Sequence, residues 1–313
     1  MAMYPLLVVF LLTAASGAFG GDPIASATQQ AVAKWKEAVP GSPLPEAIRA
    51  AISRGDRNCF GRGGCTLAPQ ISVQHASCRM LAYKYADGDK SCSEVVATTG
   101  LFFNEGAVHA GSIMTLSSPP TPEMVILPRK VADRMPFDNV SSILQMFHIM
   151  PRSHAAADVE ETLHKCLKPV HDKKEACAAS LDEVLQVAID MLGTPKLEAA
   201  ASALPSAGLP TKAYIVQAVR PLSGSLFVAC HIEPYPYTIY YCHTTGLSKA
   251  YTMFITSEEG GAVTQLELVV VCHQDTSDWN PNHPAFKALR TKPGVSPICH
   301  YIPFGHLIFG KKI

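Results

Sequence analysis

The stretch VACHIEPYPYTIYYCH, Val228 to His243, places a cysteine directly before a histidine at each end of a segment crowded with tyrosine and proline. Leu226–Ile232 and Thr238–Thr244 are rich in Val, Ile, Tyr, Phe and Thr, the composition of strands, and Pro-Tyr-Pro breaks the chain between them. In a strand, adjacent side chains leave opposite faces. A Cys-His dipeptide there sends its sulfur to one face and its imidazole to the other. The same dipeptide recurs at Cys272-His273 and Cys299-His300, so Cys230, Cys242, Cys272 and Cys299 each precede a histidine. With ten cysteines and twelve histidines in 313 residues, composition alone would produce well under one such pair.

Working outward, Ala213–Val219, Ala250–Thr256 and Ala262–Cys272 also read as strands, and Gly260-Gly261 as the hairpin turn between the last two. Helical patterns precede them: Gln29–Glu37, Pro45–Ser53, Lys130–Met135, Ser141–Phe147, Ala155–Leu167 and Leu181–Leu192. The last begins with Ser180 and Glu183 at capping-box spacing and ends before Gly193. Helices followed by a mainly antiparallel sheet predict an α+β fold with an N-terminal helical section, stapled by disulfides. No internal repeat or low-complexity tract divides the chain.

Leu6–Ala15 is an apolar run interrupted only by Thr13 and followed by small residues, which predicts an export signal over residues 1–20. No later segment is long and apolar enough to span a membrane. Export to an oxidising compartment favours disulfides over thiolates. Cys166 and Cys177 are expected to bridge the facing ends of a helical hairpin, while Cys59, Cys65, Cys78 and Cys92 are close enough for a local pair of bridges in any of three connectivities. Asn139-Val140-Ser141 is a glycosylation sequon. Balanced charge and a pI near 7.2 supply no basic footprint for nucleic acid. His-Glu-x-x-His, Gly-x-Ser-x-Gly and Gly-rich phosphate loops are missing, so hydrolase and nucleotide-dependent readings have no support.

Zinc motifs usually separate paired ligands by two or more residues, so the spacing here argues against Cys and His sharing one ion. The arrangement predicts cysteines in disulfides on a covered face and histidines gathered on the other face or at a cleft. Four neutral imidazoles without thiolates suit copper or zinc. The plainer alternative is that they are hydrogen-bonded sheet residues.

The series CH, ten residues, CH, twenty-eight residues, CH, twenty-five residues, CH resembles the pattern of the plant BURP-domain family. Phe102-Phe103-Asn104-Glu105, Leu127-Pro128-Arg129, Pro136-Phe137, Cys177 with Ser180-Leu181, Tyr235-Pro236-Tyr237, Asp275–Pro281 and Lys292-Pro293-Gly294 extend the resemblance from Leu101 to the C-terminus. The resemblance implies a signal peptide over 1–20, a variable cysteine-bearing region over 21–99 and a BURP domain over 100–313. It implies a secreted, apoplastic or wall-associated plant protein with an accessory or developmental role, whose copper ligands would be His231, His243, His273 and His300. Two other roles occur in the family. One is a copper-dependent cyclase that joins a Tyr or Trp side chain of its own N-terminal region to another residue. The other is a non-catalytic subunit associated with a polygalacturonase, with cell-wall polysaccharide or a wall enzyme as partner. The interval from His243 to Cys272 is slightly longer than the family's usual one, and Gly260-Gly261 is where an insertion fits. A repeated core peptide is also missing: Trp35 and Tyr83-Lys84-Tyr85 are the aromatic candidates, and both read as packing residues. Tyr240 and Tyr241 would flank the site but read first as an aromatic sheet face, and Trp279 as the anchor of its loop.

Overall fold

The computed structural model describes residues 26–60, 99–121, 123–167, 174–259 and 262–312. The export signal, Tyr83-Lys84-Tyr85, Cys65, Cys78 and Cys92 lie outside them, as does the side chain of Cys59. In chain order the elements are α1 (Ala27–Ala38), α2 (Glu46–Phe60), β1 (Phe102–Asn104), β2 (Ile113–Ser118), α3 (Arg129–Ala132), α4 (Val140–Met146) and α5 (His154–Cys166). There follow β3 (Glu175–Ala178), α6 (Leu181–Leu192), β4 (Leu197–Ala200), β5 (Leu209–Pro221), β6 (Val228–Glu233) and β7 (Ile239–Thr244). The chain ends with β8 (Ser248–Glu259), β9 (Ala262–His273), α7 (Pro284–Leu289), β10 (Ile298–Tyr301) and β11 (Leu307–Lys311). This is the expected α+β order. Of the strands missed in the sequence, β1, β3, β4, β10 and β11 have three to five residues, too few for a clear alternation, whereas the six-residue β2 alternates but lacks the Val, Tyr and Phe content that marked the others.

The strands form two antiparallel sheets. Sheet A has the order β1-β10-β9-β8-β5-β2 and sheet B the order β3-β7-β6-β11-β4. The long β8–β9 hairpin pairs out to Glu259 and Ala262, on either side of Gly260-Gly261. The sheets face each other through a small apolar cluster of Phe227 and Ile308 from sheet B's side against Ala250, Val269 and Val271 of sheet A. Beyond that cluster, Ile239 on β7 packs with Ile143 of α4, Phe147 at its C-cap, and Val159 and Leu163 of α5. The far side of sheet A carries Met253, Ile255, Leu268, Val270 and Phe286 in one cluster.

The far side of sheet B is closed by α1, α2 and α6. Ser180 Oγ accepts from the Glu183 backbone N–H at 3.3 Å, and Gly193 closes α6 in the left-handed region. Trp35 of α1, 1% exposed, lies 6.0 Å from the ring of Phe309 and donates its indole N–H to the Ser42 carbonyl at 2.9 Å. The N-terminal helices therefore share a core with β6, β7 and β11. Trp35→Phe keeps most of the buried area but loses the hydrogen bond and some volume. A cost of about 1–2 kcal/mol is expected, read as a lower denaturation midpoint with unchanged slope.

Three disulfides join described residues. Cys166 at the end of α5 bonds Cys177, with a Cα separation of 5.4 Å. The bridge expected from the sequence is present, but Cys177 belongs to β3, so it ties a helix to a sheet edge rather than joining two helix ends. Cys230 bonds Cys242 and Cys272 bonds Cys299, each pair 3.9 Å apart at Cα. Among the described residues no helix is long and apolar enough to cross a membrane.

Candidate functional site

The two sheets repeat one construction. Cys230 stands directly opposite Cys242 across β6 and β7, and Cys272 directly opposite Cys299 across β9 and β10. Because neighbours alternate faces, each disulfide lies on the outer side of its sheet and its two histidines on the inner side, diagonally across the pair. His231 stands opposite Tyr241 and His243 opposite Ala229; His273 stands opposite Ile298 and His300 opposite Val271. Ring centroids are 5.2 Å apart for His231–His243 and 5.4 Å for His273–His300. The inner faces oppose one another, so the two histidine pairs face the same space between the sheets, and the four sulfurs of their cysteines are sequestered elsewhere as disulfides.

Two further histidines join them. His306, between β10 and β11, places Nδ1 at 3.1 Å from Nδ1 of His231. His283 caps α7 by accepting from the Ala285 N–H at 3.3 Å and lies 4.7 Å from the Trp279 ring, which in turn lies 4.9 Å from His273. Both are lone histidines outside any dipeptide, a context in which a hydrogen-bonded core residue is the usual reading. The only sequence hint for His306 is its position six residues after His300 at the approach to a last apolar run. Trp279 anchors its loop by packing against the cluster itself.

Hydrogen bonding assigns the ring protons. A carbonyl only accepts, so an imidazole nitrogen beside one must donate. His243 Nδ1 is 3.0 Å from the Thr244 carbonyl, His273 Nδ1 3.1 Å from that of Thr245, and His300 Nδ1 3.2 Å from that of Tyr301. In each of these neutral rings Nε2 carries the lone pair. His273 Nε2 and His300 Nε2 confront each other at 3.2 Å; with both Nδ1 atoms protonated these are two lone pairs, a pairing that a proton or a cation between or beside them relieves.

Burial disfavours the proton. His231, His273, His300 and His306 are buried, while His243 is half-buried at the cluster's edge. Desolvation, reinforced by the neighbouring rings, pushes His273 down to about 3. It also pushes His300 to about 4, against the opposing pull of the Tyr301 carbonyl. Burial, with Lys165 nearby, holds His306 at about 3, and His231 and His243 are lowered for the same leading reason. At neutral pH the cluster is a set of uncharged nitrogen donors without thiolate, which fits copper or zinc better than magnesium or calcium. Among the described residues no three donors already converge at ligand distance on one point, so seating an ion calls for ring rotation.

A polar border runs along the half-buried edge. Tyr241 shares the inner face with the histidines, 5.8 Å from the His243 ring, and donates its hydroxyl to Glu175. Lys165 of α5 pairs with buried Glu233 at 2.6 Å and lies 4.0 Å from the Tyr241 ring centroid. Tyr240, one residue earlier, points to the opposite side and packs in the core beneath α6. Of the two tyrosines expected to flank the site, only Tyr241 does so. Asn139 is exposed and caps α4, its Oδ1 accepting from the Ser142 N–H at 3.1 Å.

A family model described as the BURP domain matches residues 101–311. Protein RAFTIN 1A of Triticum aestivum is 44% identical over 223 residues, covering 69% of this chain and 57% of the relative. BURP domain-containing protein 13 of Oryza sativa subsp. japonica is 43% identical over 226 residues, covering 69% of this chain and 54% of the relative. BURP domain protein RD22 of Arabidopsis thaliana is 32% identical over 188 residues, covering 58% and 47%. The chain thus spans about half the length of these curated relatives. The matched region contains all four Cys-His dipeptides and both sheets built around them, and the chain belongs to the BURP-domain family of plant proteins.

Proposed function

We propose that this chain is an exported, apoplastic or cell-wall accessory protein that holds copper between its two sheets through His231, His243, His273 and His300. The observation that carries the reading is the shared arrangement of these rings: four inner-face imidazoles from two sheets, three with Nδ1 committed to carbonyls and Nε2 as donor. Copper, when bound, would supply one-electron redox chemistry. The protein's part is to exclude water by burial, to hold the ring tautomers, and to keep sulfur away from the ion as disulfides. Three disulfides among described residues suit the oxidising setting that export provides. In that setting exposed Asn139 would accept a glycan on Nδ2 while its Oδ1 keeps capping α4.

An accessory role is favoured over self-cyclisation by the placement of Trp35. It is buried under sheet B, on the sulfur side of Cys230–Cys242, whereas the imidazoles are on the other side. An oxidation of that indole at the cluster would require α1 to undock. No observation favours pectin as ligand: an open cleft of about 1040 Å³ beside β4 presents Glu46, Glu123, Glu198 and Glu267 against Arg54, which repels a polyanion.

Copper loading followed by gel filtration tests the metal reading, with stoichiometric copper expected on the unaltered protein and lost from a His231→Ala/His273→Ala variant. Equal retention by the variant overturns it. Peptide masses after copper exposure, with reduction and alkylation to remove the mass change of disulfide formation, test the accessory role. Unchanged masses are expected across residues 21–99; a loss of two hydrogens in a Tyr- or Trp-containing peptide there identifies a cyclase instead.

A further inference from the structure

We infer that His306 is a positioning residue: it accepts the Nδ1 proton of His231 and thereby gives that ring the same tautomer that backbone carbonyls impose on His243, His273 and His300. The inference deepens the metal-binding reading, on which its affinity arm rests, while its tautomer arm does not. The starting point is an asymmetry. Three of the four dipeptide histidines have Nδ1 at 3.0 to 3.2 Å from a carbonyl oxygen. His231 instead has Nδ1 at 3.1 Å from the Nδ1 of another imidazole.

The topology explains the substitution. β11 pairs with β6 through Leu307 opposite Cys230, Ile308 opposite Ala229 and Phe309 opposite Val228. Extending this antiparallel register by one step puts His306 opposite His231, at the point where the ladder stops. Directly opposed side chains share a face and stand close together, so the chain delivers a ring nitrogen where the other three sites have a carbonyl. His231 lies inside the β6–β7 ladder, whereas the carbonyls that serve the other rings, those of Thr244, Thr245 and Tyr301, belong to strand ends or to residues just beyond them.

The segment carrying His306 is itself held. Tyr240, on the opposite side of β7 from the histidines, donates its hydroxyl to the Gly305 carbonyl at 2.8 Å. The His306 N–H donates to the Pro303 carbonyl at 3.2 Å. Gly305 has φ +79°, a left-handed conformation that favours glycine, and a Cβ there would come within 2.3 Å of the Met124 sulfur and force that side chain to move. The result is a buried imidazole, 4% exposed, fixed against His231 from two directions. Two Nδ1 atoms at 3.1 Å are satisfied by one proton between them. With that proton on His231, Nε2 of all four rings becomes a donor to a metal, and the assignment that serves the other three rings extends to the fourth.

The test uses the full-length mature protein, labelled with ¹⁵N and free of metal. Long-range ¹H–¹⁵N correlation of the imidazoles is expected to show His231 protonated on Nδ1 and bare on Nε2. His306→Phe, which cannot accept, is expected to move His231 to a tautomer mixture and to weaken Cu(II) binding by about 10- to 100-fold, the usual loss when the partner of a metal-ligating histidine is removed. His306→Asn, whose Oδ1 can stand in for Nδ1, is expected to restore both readouts. Finding the His231 proton on Nε2 in the unaltered protein overturns the inference. So does a His306→Phe protein with unchanged tautomer and affinity. If the unaltered protein takes up no copper, the metal-binding reading fails, and the tautomer measurement on metal-free protein still decides the role of His306.

Discussion

Acidifying the metal-free protein from pH 7 to pH 5 is expected to lower its melting temperature by about 10 °C or more, because buried neutral imidazoles resist protonation that the unfolded chain accepts. His273 and His306 are held down to about 3 and His300 to about 4, with burial as the leading cause in each. An unfolded histidine titrates near 6.5. Folded values below unfolded ones mean that the unfolded state binds more protons between roughly pH 6.5 and pH 3. Stability is therefore complete above about 6.5 and falls as the pH drops through that window. At pH 5 each such ring favours unfolding by roughly 2 kcal/mol, and a chain of this size loses about 2–4 °C for each kcal/mol. Thermal melts in chelator at pH 7, 6 and 5 measure the slope. A flat profile would show that the rings are solvated or charged in the folded protein. Copper-loaded protein should keep its melting temperature to lower pH, since a bound cation competes with protons for the same nitrogens.

Replacing Cys272 and Cys299 together by alanine is expected to cost about 3.5 kcal/mol, the chain-entropy value for the loop that this bridge closes. The sequence separation is 27 residues, against 12 for Cys230–Cys242, for which the same model predicts about 3 kcal/mol. Each bridge also pins the register of the strand pair that carries two of the histidines. The double variant should therefore lose copper affinity as well as stability, while Cys166→Ala/Cys177→Ala, whose bridge lies at the β3 edge, should lose stability and keep the metal. Chemical denaturation combined with copper titration separates the two effects. Equal copper affinity in all variants would mean that strand pairing alone holds the imidazoles.

Much of this construction was legible residue by residue. The alternation of β6, β7 and β9 predicted sulfur on one face and imidazole on the other, and the histidines of all four dipeptides are found on inner faces. The hairpin at Gly260-Gly261 and the cap at Ser180 were equally local signals. Tyr240 and Tyr241 show the limit of such reading. Alternation puts the two on opposite faces, but only the packing of other elements decides that the Tyr240 face meets the core and the Tyr241 face the polar border with Lys165 and Glu175. Lys165 comes from a helix far from the dipeptides in sequence, and His283, although it lies between the last two dipeptides, sits at a helix cap that no spacing rule links to the site.

What the sequence by itself determined is the division of each Cys-His dipeptide between two faces, because side-chain alternation is a property of the strand backbone. Tertiary structure alone decided which cysteine meets which, that the two inner faces oppose one another, and that His306 arrives opposite His231. Those outcomes depend on the pairing of strands distant in the chain and on how two sheets stack, and the free energy that selects them resides in nonlocal burial, which no short stretch of residues encodes.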